Sequence, residues 1–146
     1  MRPCRTSSRF PGPWARDTLP NVTAAVAAGW PGPVTYHGFE AGSGVMAGAC
    51  LAGAPAGSPV RRIFELTLGP AGRPADAFDI PALLYAVKGL HGRWNKVGGG
   101  RNEIAADGSN QWVPDSDCPQ AYLVRLMPVD SLSAELEVLI CRPPGP

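Results

Sequence analysis

Lysine is almost missing from this chain: there are two, Lys88 and Lys96, against 11 arginines. With abundant Ala, Gly and Pro, that bias reads as the codon usage of a GC-rich genome rather than as a selected phosphate-binding surface. Charge of either sign is scarce, 17% of 146 residues against a usual share of about 25%. The formal net charge is +1, so there is no bulk attraction for nucleic acid or anionic lipid. Neither a specific nucleic acid nor a membrane is therefore expected as partner. Nowhere do 18 apolar residues run together, which excludes a spanning helix. Histidine is limited to His37 and His91. The cysteines Cys4, Cys50, Cys118 and Cys141 form no C-x-x-C, and no histidine stands at ligand spacing from them, so neither a metal site nor a cofactor is expected. The Met1 start lacks an apolar secretory core. Reduced thiols are then the default, and the Asn21-Val22-Thr23 sequon carries no weight. Were all four cysteines bonded, three pairings would be open.

Glycine and proline are plentiful, 18 and 17. The hydrophobic share of 45% still argues for a packed core. The length suits one domain, expected at residues 34–146. Residues 1–33 read differently. Arg2, Arg5, Arg9 and Arg16 face one acid, Asp17, and six prolines interrupt any helix. An extended Arg/Pro-rich arm is expected there, with only Asn21 to Ala28 able to supply a turn or two of helix.

Within 34–146, Val34 to Glu40 and Val45 to Leu51 read as a hairpin around the turn Ala41-Gly42-Ser43-Gly44. Phe64, Leu66 and Leu68 alternate with Ile63, Glu65 and Thr67, which predicts a strand over Arg61 to Leu68. Asp79, Pro81 and the stripe Leu83, Leu84, Val87 and Leu90 predict one helix around 80–90. Asn95 to about Asp117 reads as a long Gly-rich loop. Tyr122, Val124 and Leu126 alternate, as do Ala134, Leu136, Val138 and Ile140. That predicts a hairpin over about 121–141 with Arg125 opposite Glu137. The fold class expected from these elements is mainly β, a small antiparallel sandwich or curled sheet with one short helix.

Two constellations suggest chemistry. Tyr36-His37-Gly38-Phe39 resembles the first motif of the ADP-ribosyltransferase family, and Glu135-Leu136-Glu137 resembles that family's late Glu-x-Glu strand. The resemblance implies that His37 would bind NAD, Glu137 would stabilise an oxocarbenium-like ribose and Glu135 would orient the acceptor. The family's middle Ser-Thr-Ser strand is absent. Separately, Trp94 and Trp112 flank the polar loop that holds Asn110. Exposed indole faces with amides between them suit a sugar. Gly98-Gly99-Gly100-Arg101 lacks the Lys-Ser/Thr ending of a phosphate loop.

No catalytic set assembles from local motifs. The leading expectation is therefore a non-enzymatic structural or accessory subunit of a larger assembly, of virion or other particle type. It would be virion-borne or cytoplasmic, and would dock other protein subunits as a homo- or hetero-oligomer. It would dock through its sheet edges and through its arm, the latter at Arg5, Phe10, Trp14 and Arg16. A carbohydrate-binding module and a divergent ADP-ribosyltransferase are the alternatives.

Overall fold

The computed structural model describes residues 19–142. Cys4, Arg5, Phe10, Trp14 and Arg16, and with them most of the expected arm, lie outside the described residues. The chain is α+β rather than mainly β: five α-helices accompany a mixed four-stranded sheet and a two-stranded ribbon among the described residues. The described residues divide into two compact units, residues 19–36 with 96–123 and residues 37–95 with 124–142.

The first unit carries α1 (Pro20–Gly29), β1 (Val34–Tyr36), most of β4 (Trp94–Ile104), β5 (Asn110–Pro114) and most of β6 (Gln120–Arg125), in the sheet order β1-β6-β4-β5. Strand β1 runs parallel to β6, Val34 facing Gln120 and Tyr36 facing Tyr122. Strands β4 and β5 form an antiparallel hairpin, Gly100 opposite Pro114 and Ile104 opposite Asn110. Much of the stretch expected as a loop is this hairpin. Its turn is closed by Asp107, whose carboxylate accepts the Ser109 N–H at 3.0 Å, and by Gly108 at φ +81°, a conformation that favours glycine. Gln120 is buried, and its side chain ties three segments together. Its Oε1 accepts the Asn102 N–H at 2.8 Å, and its Nε2 donates to the Ala27 carbonyl at 2.9 Å. Helix α1 falls in the stretch Asn21 to Ala28 that could supply helical turns.

The second unit holds α2 (Phe39–Gly42), β2 (Met46–Ala47), a 3-10 turn at Ala49–Gly53, α3 (Pro59–Leu68), β3 (Ala75–Asp76), α4 (Ile80–Lys88) and α5 (Val129–Cys141). Three expectations are overturned here. Arg61 to Leu68 belongs to helix α3, not to a strand. Ser58 takes its N-cap position and accepts the Arg61 N–H, and Arg61 Nε pairs with Glu65 Oε1 at 2.8 Å one turn on. Such a cap and i,i+4 pair stabilise a helix and outweigh the alternation. Strand β2 pairs with β3, Met46 opposite Asp76, so no hairpin joins 34–40 to 45–51. The hairpin over 121–141 is replaced by strand β6 followed by helix α5. Its segment carries three Leu and two Glu, strong helix formers, and Leu132 and Leu136 lie one turn apart and fully buried. Arg125 does not face Glu137; its guanidinium donates to the Ala41 and Ser43 carbonyls. Helix α4 stands where a helix was expected, with Asp79 at the N-cap position and Pro81 in the first turn.

Candidate functional site

Helix α1 has no buried residue. It carries no charged side chain. Leu19, Val22, Val26 and Trp30 recur at spacings of three and four and are 60, 55, 53 and 59% exposed. Beside this row, Thr23, Val26 and Trp30 line a groove of about 150 Å³ with Tyr36, Asn102 and Ile104. The groove is apolar apart from the amide of Asn102 and the hydroxyls of Thr23 and Tyr36. Burial pushes the Tyr36 phenol pKa up, and Asn102 beside it acts in the opposite direction. In the second unit, α3 exposes Ile63 and Leu66, and α4 exposes Leu83 and Val87. The α4 stripe expected to face a core is thus split: Leu84 is buried while Leu83 and Val87 are not.

A second cluster lies along α5. Ser133, Glu137 and Cys141 follow one another at spacings of four, one helical face. That face meets the backbone of residues 46–50. Ser133 Oγ accepts the Met46 N–H at 3.0 Å, and the two oxygens of Glu137 accept the Ala49 and Cys50 N–H groups at 2.8 and 3.1 Å. Cys141 closes the row in a disulfide with Cys50, Cα atoms 6.0 Å apart. Cys118 is disulfide-bonded as well. The expectation of reduced thiols is therefore corrected: these cysteines are oxidised in the structure. The sequence separation of 91 between Cys50 and Cys141 explains why no sequence spacing pointed to the pairing.

Of the residues singled out for transferase chemistry, the two glutamates already have partners. Glu135 and Glu137 sit on a helix, not on the strand that the resemblance requires. Glu135 forms a two-bond ion pair with Arg93, whose hydrogen bonds hold its carboxyl below the usual carboxylate range. Glu137 is committed to the 49–50 backbone. His37 lies in another setting, beside Gly42 and within the electrostatic reach of Glu40, Asp79 and Arg125. Burial lowers its pKa, and the two carboxylates oppose that shift.

The sugar-binding pair fares similarly. Trp94 belongs to the second unit, is 2% exposed and stacks edge-on against Tyr85, so it offers no open indole face. Trp112, in the first unit, is half-buried and packs edge-on against Tyr122 with ring centroids 4.9 Å apart. Asn110 is half-buried at the start of β5. The signals that sequence reading missed are the cap at Ser58 and the four-residue spacing of Ser133, Glu137 and Cys141.

Comparison of the chain with protein-family models, with curated proteins and with solved structures found no match. Among the described residues, no helix is long and apolar enough to cross a membrane.

Proposed function

We propose that this chain is a non-catalytic subunit of a larger protein assembly, joined to further copies of itself through the apolar row of α1. The observation that carries the reading is the exposure of Val22 and Val26 on a helix with no buried residue of its own, with Leu19 and Trp30 exposed at its two ends. A helix of 10 residues has little intrinsic stability in water, and contiguous exposed apolar surface marks an interaction site. The occupant follows from charge. An interfacial lipid-binding helix carries Lys or Arg on its polar face, whereas α1 carries neither. An uncharged row at spacings of three and four can be set against its own copy without like-charge repulsion, as a two-fold interface requires. Ile63 and Leu66 on α3, with Leu83 and Val87 on α4, supply further apolar rows from which an assembly can be extended.

The test is the mass of the full chain in solution by light scattering, alongside the double variant Val26→Asp, Trp30→Asp. The unvaried chain should have the mass of at least two copies. The variant should be a folded monomer with unchanged far-ultraviolet circular dichroism. An unvaried chain that stays monomeric up to high concentration, or a variant that assembles as well as the unvaried chain, sinks the proposal.

A further inference from the structure

Helix α5 sets Glu137 and Cys141 one turn apart on one face, and the disulfide brings Cys50 of the 3-10 turn to the same place. One ligand atom from each, the two Sγ atoms and a carboxylate oxygen, lies within 4.8 Å of the others. All three residues are half-buried, in an open surface depression completed by Val138 and Arg142. A tetrahedral zinc ion with bonds of about 2.0–2.3 Å sets its ligands roughly 3.3–3.8 Å apart. A small separation of the sulfurs, once their bond is broken, meets that requirement.

The geometry points to a redox-gated cation site: Cys50, Glu137 and Cys141 take a thiophilic divalent cation when the disulfide is reduced, and release it when a disulfide oxidant accepts the two electrons by thiol–disulfide exchange and the bond re-forms. In the oxidised state each sulfur is bonded to the other, and neither is a thiolate, the form that ligates metal. A dithiol reductant opens the bridge. Two electrons break the S–S bond, two protons pass to Cys50 and Cys141, and the reductant closes its own disulfide. Cys50 Sγ lies 3.4 Å from the Glu137 carbonyl oxygen. Once it carries a proton, it has a hydrogen-bond acceptor waiting there.

Charge then decides what the open site binds. Deprotonating both thiols beside Glu137 would gather three negative charges within 4.8 Å, with Arg142 the one cation among the described residues that line the depression. Like charges so close hold protons on. A divalent cation removes the conflict: it displaces the two thiol protons and leaves a singly negative complex, the charge that Glu137 carried alone, beside Arg142. Thiolate ligands select zinc-like ions over calcium or magnesium. Glu137 is oriented in advance, because the Ala49 and Cys50 N–H groups each hold one of its oxygens. A carboxylate oxygen accepting one hydrogen bond still has a lone pair for a metal. Three protein ligands leave a fourth position for water.

Cadmium is the probe, because its thiolate complexes absorb in the ultraviolet. The full chain is titrated with Cd²⁺ as the disulfide form and after reduction by a thiol-free phosphine. The reduced chain should bind Cd²⁺ with an absorption increment that Cys50→Ser and Cys141→Ser each remove, while the oxidised chain should show no such increment. Glu137→Gln retains both cysteines and should weaken binding by more than the ~10-fold that loss of an outer metal partner costs. Alkylation mapped by mass spectrometry covers the case in which a serine variant does not fold. In the unvaried reduced chain, Cd²⁺ should shield Cys50 and Cys141 from alkylation. Equal alkylation with and without Cd²⁺ overturns the inference. So does unchanged affinity in Glu137→Gln, or equal binding by the oxidised chain.

Discussion

Arg93 and Glu135, 42 residues apart in sequence, meet as a fork: Arg93 Nε donates to Oε2 at 2.7 Å while Nη2 donates to Oε1. The backbone carbonyl of Arg93 meanwhile accepts the Leu126 and Met127 N–H groups at 2.9 and 3.1 Å. One residue thus holds both the segment entering α5 and the helix itself. Both side chains are largely shielded, at 12 and 24% exposure, so the pair is stronger than an open surface bridge. Arg93→Ala would strand a shielded carboxylate and should cost about 1.5–3 kcal/mol in urea denaturation at neutral pH. The pH dependence has a definite sign. The Arg93 hydrogen bonds depress the Glu135 pKa in the folded state. Their stabilisation is therefore present above the unfolded value of about 4.3 and is lost as pH falls through the lower, folded value. Glu135→Gln should flatten the acid limb of the stability curve in that window. An unaltered acid limb would show that the fork does not set it.

The Cys50–Cys141 bond closes a long loop, 91 residues apart in sequence. Removing it by Cys141→Ser should lower unfolding free energy by about 2–4 kcal/mol, the usual cost for a cross-link of this kind. Comparing Cys141→Ser with the unvaried chain in the absence of reductant keeps the bond made by Cys118 intact in both. A loss below about 1 kcal/mol would mean that the Met46, Ala49 and Cys50 hydrogen bonds to α5 already hold this edge of the unit.

How far the sequence revealed this arrangement depends on which period was dominant in each segment. The helix at Ile80–Lys88 was legible because Pro81 in its first turn and the Leu84 spacing agree with each other. Residues 129–141 were not. Ala134, Leu136, Val138 and Ile140 alternate as a strand would, yet Leu132 and Leu136 at a spacing of four are the pair that is buried, and the long-range Arg93 fork leaves no local trace. Residues 59–68 carried helix signals that alternation masked. For Gly98-Gly99-Gly100, glycine read as a break, although in β4 the bare backbone of Gly100 makes room for the Trp112 ring. Of the sites, the exposed apolar rows were visible as residues but not as a surface. The Cys50, Glu137 and Cys141 cluster was invisible, because four cysteines do not reveal their pairing and Glu137 was assigned to a strand.

Gly100 gives a stringent test of that strand. It is buried in β4 opposite Pro114, and a Cβ there would meet the Trp112 indole and sit 2.6 Å from the Val113 carbonyl oxygen. The obstruction includes backbone, which cannot swing aside as a side chain tip does. Gly100→Ala should therefore destabilise by about 1–3 kcal/mol, the range for overpacked interiors. The neighbouring Gly99→Ala is strained for a different reason, its φ of +72°. Adding Trp112→Ala to Gly100→Ala should recover part of the first loss. Full additivity of the two changes in thermal unfolding would place the clash elsewhere.

His37 supplies the remaining pH-dependent element. Its Nε2 is buried with no hydrogen-bond partner among the described residues. Burial lowers its pKa despite the opposing influence of Glu40 and Asp79, while Arg125 acts in the same direction as burial. For a base with a depressed folded pKa, the unfolded chain takes up the proton first. Stability should then fall as pH drops below the unfolded value of about 6.5 and level off beneath the folded value. This window opens at a higher pH than that of Glu135, and the Glu135→Gln and His37→Gln variants assign each limb in one titration. His37→Gln, neutral throughout, should abolish the upper limb of a melting-temperature profile taken between about pH 7 and 5, leaving the acid limb of Glu135 in place. It should also cost stability at pH 7, since the amide must find its own partners in a site shaped for an imidazole against Gly42. A profile unchanged by His37→Gln would show that the histidine is solvated in both states and that its setting against Gly42 is open to water.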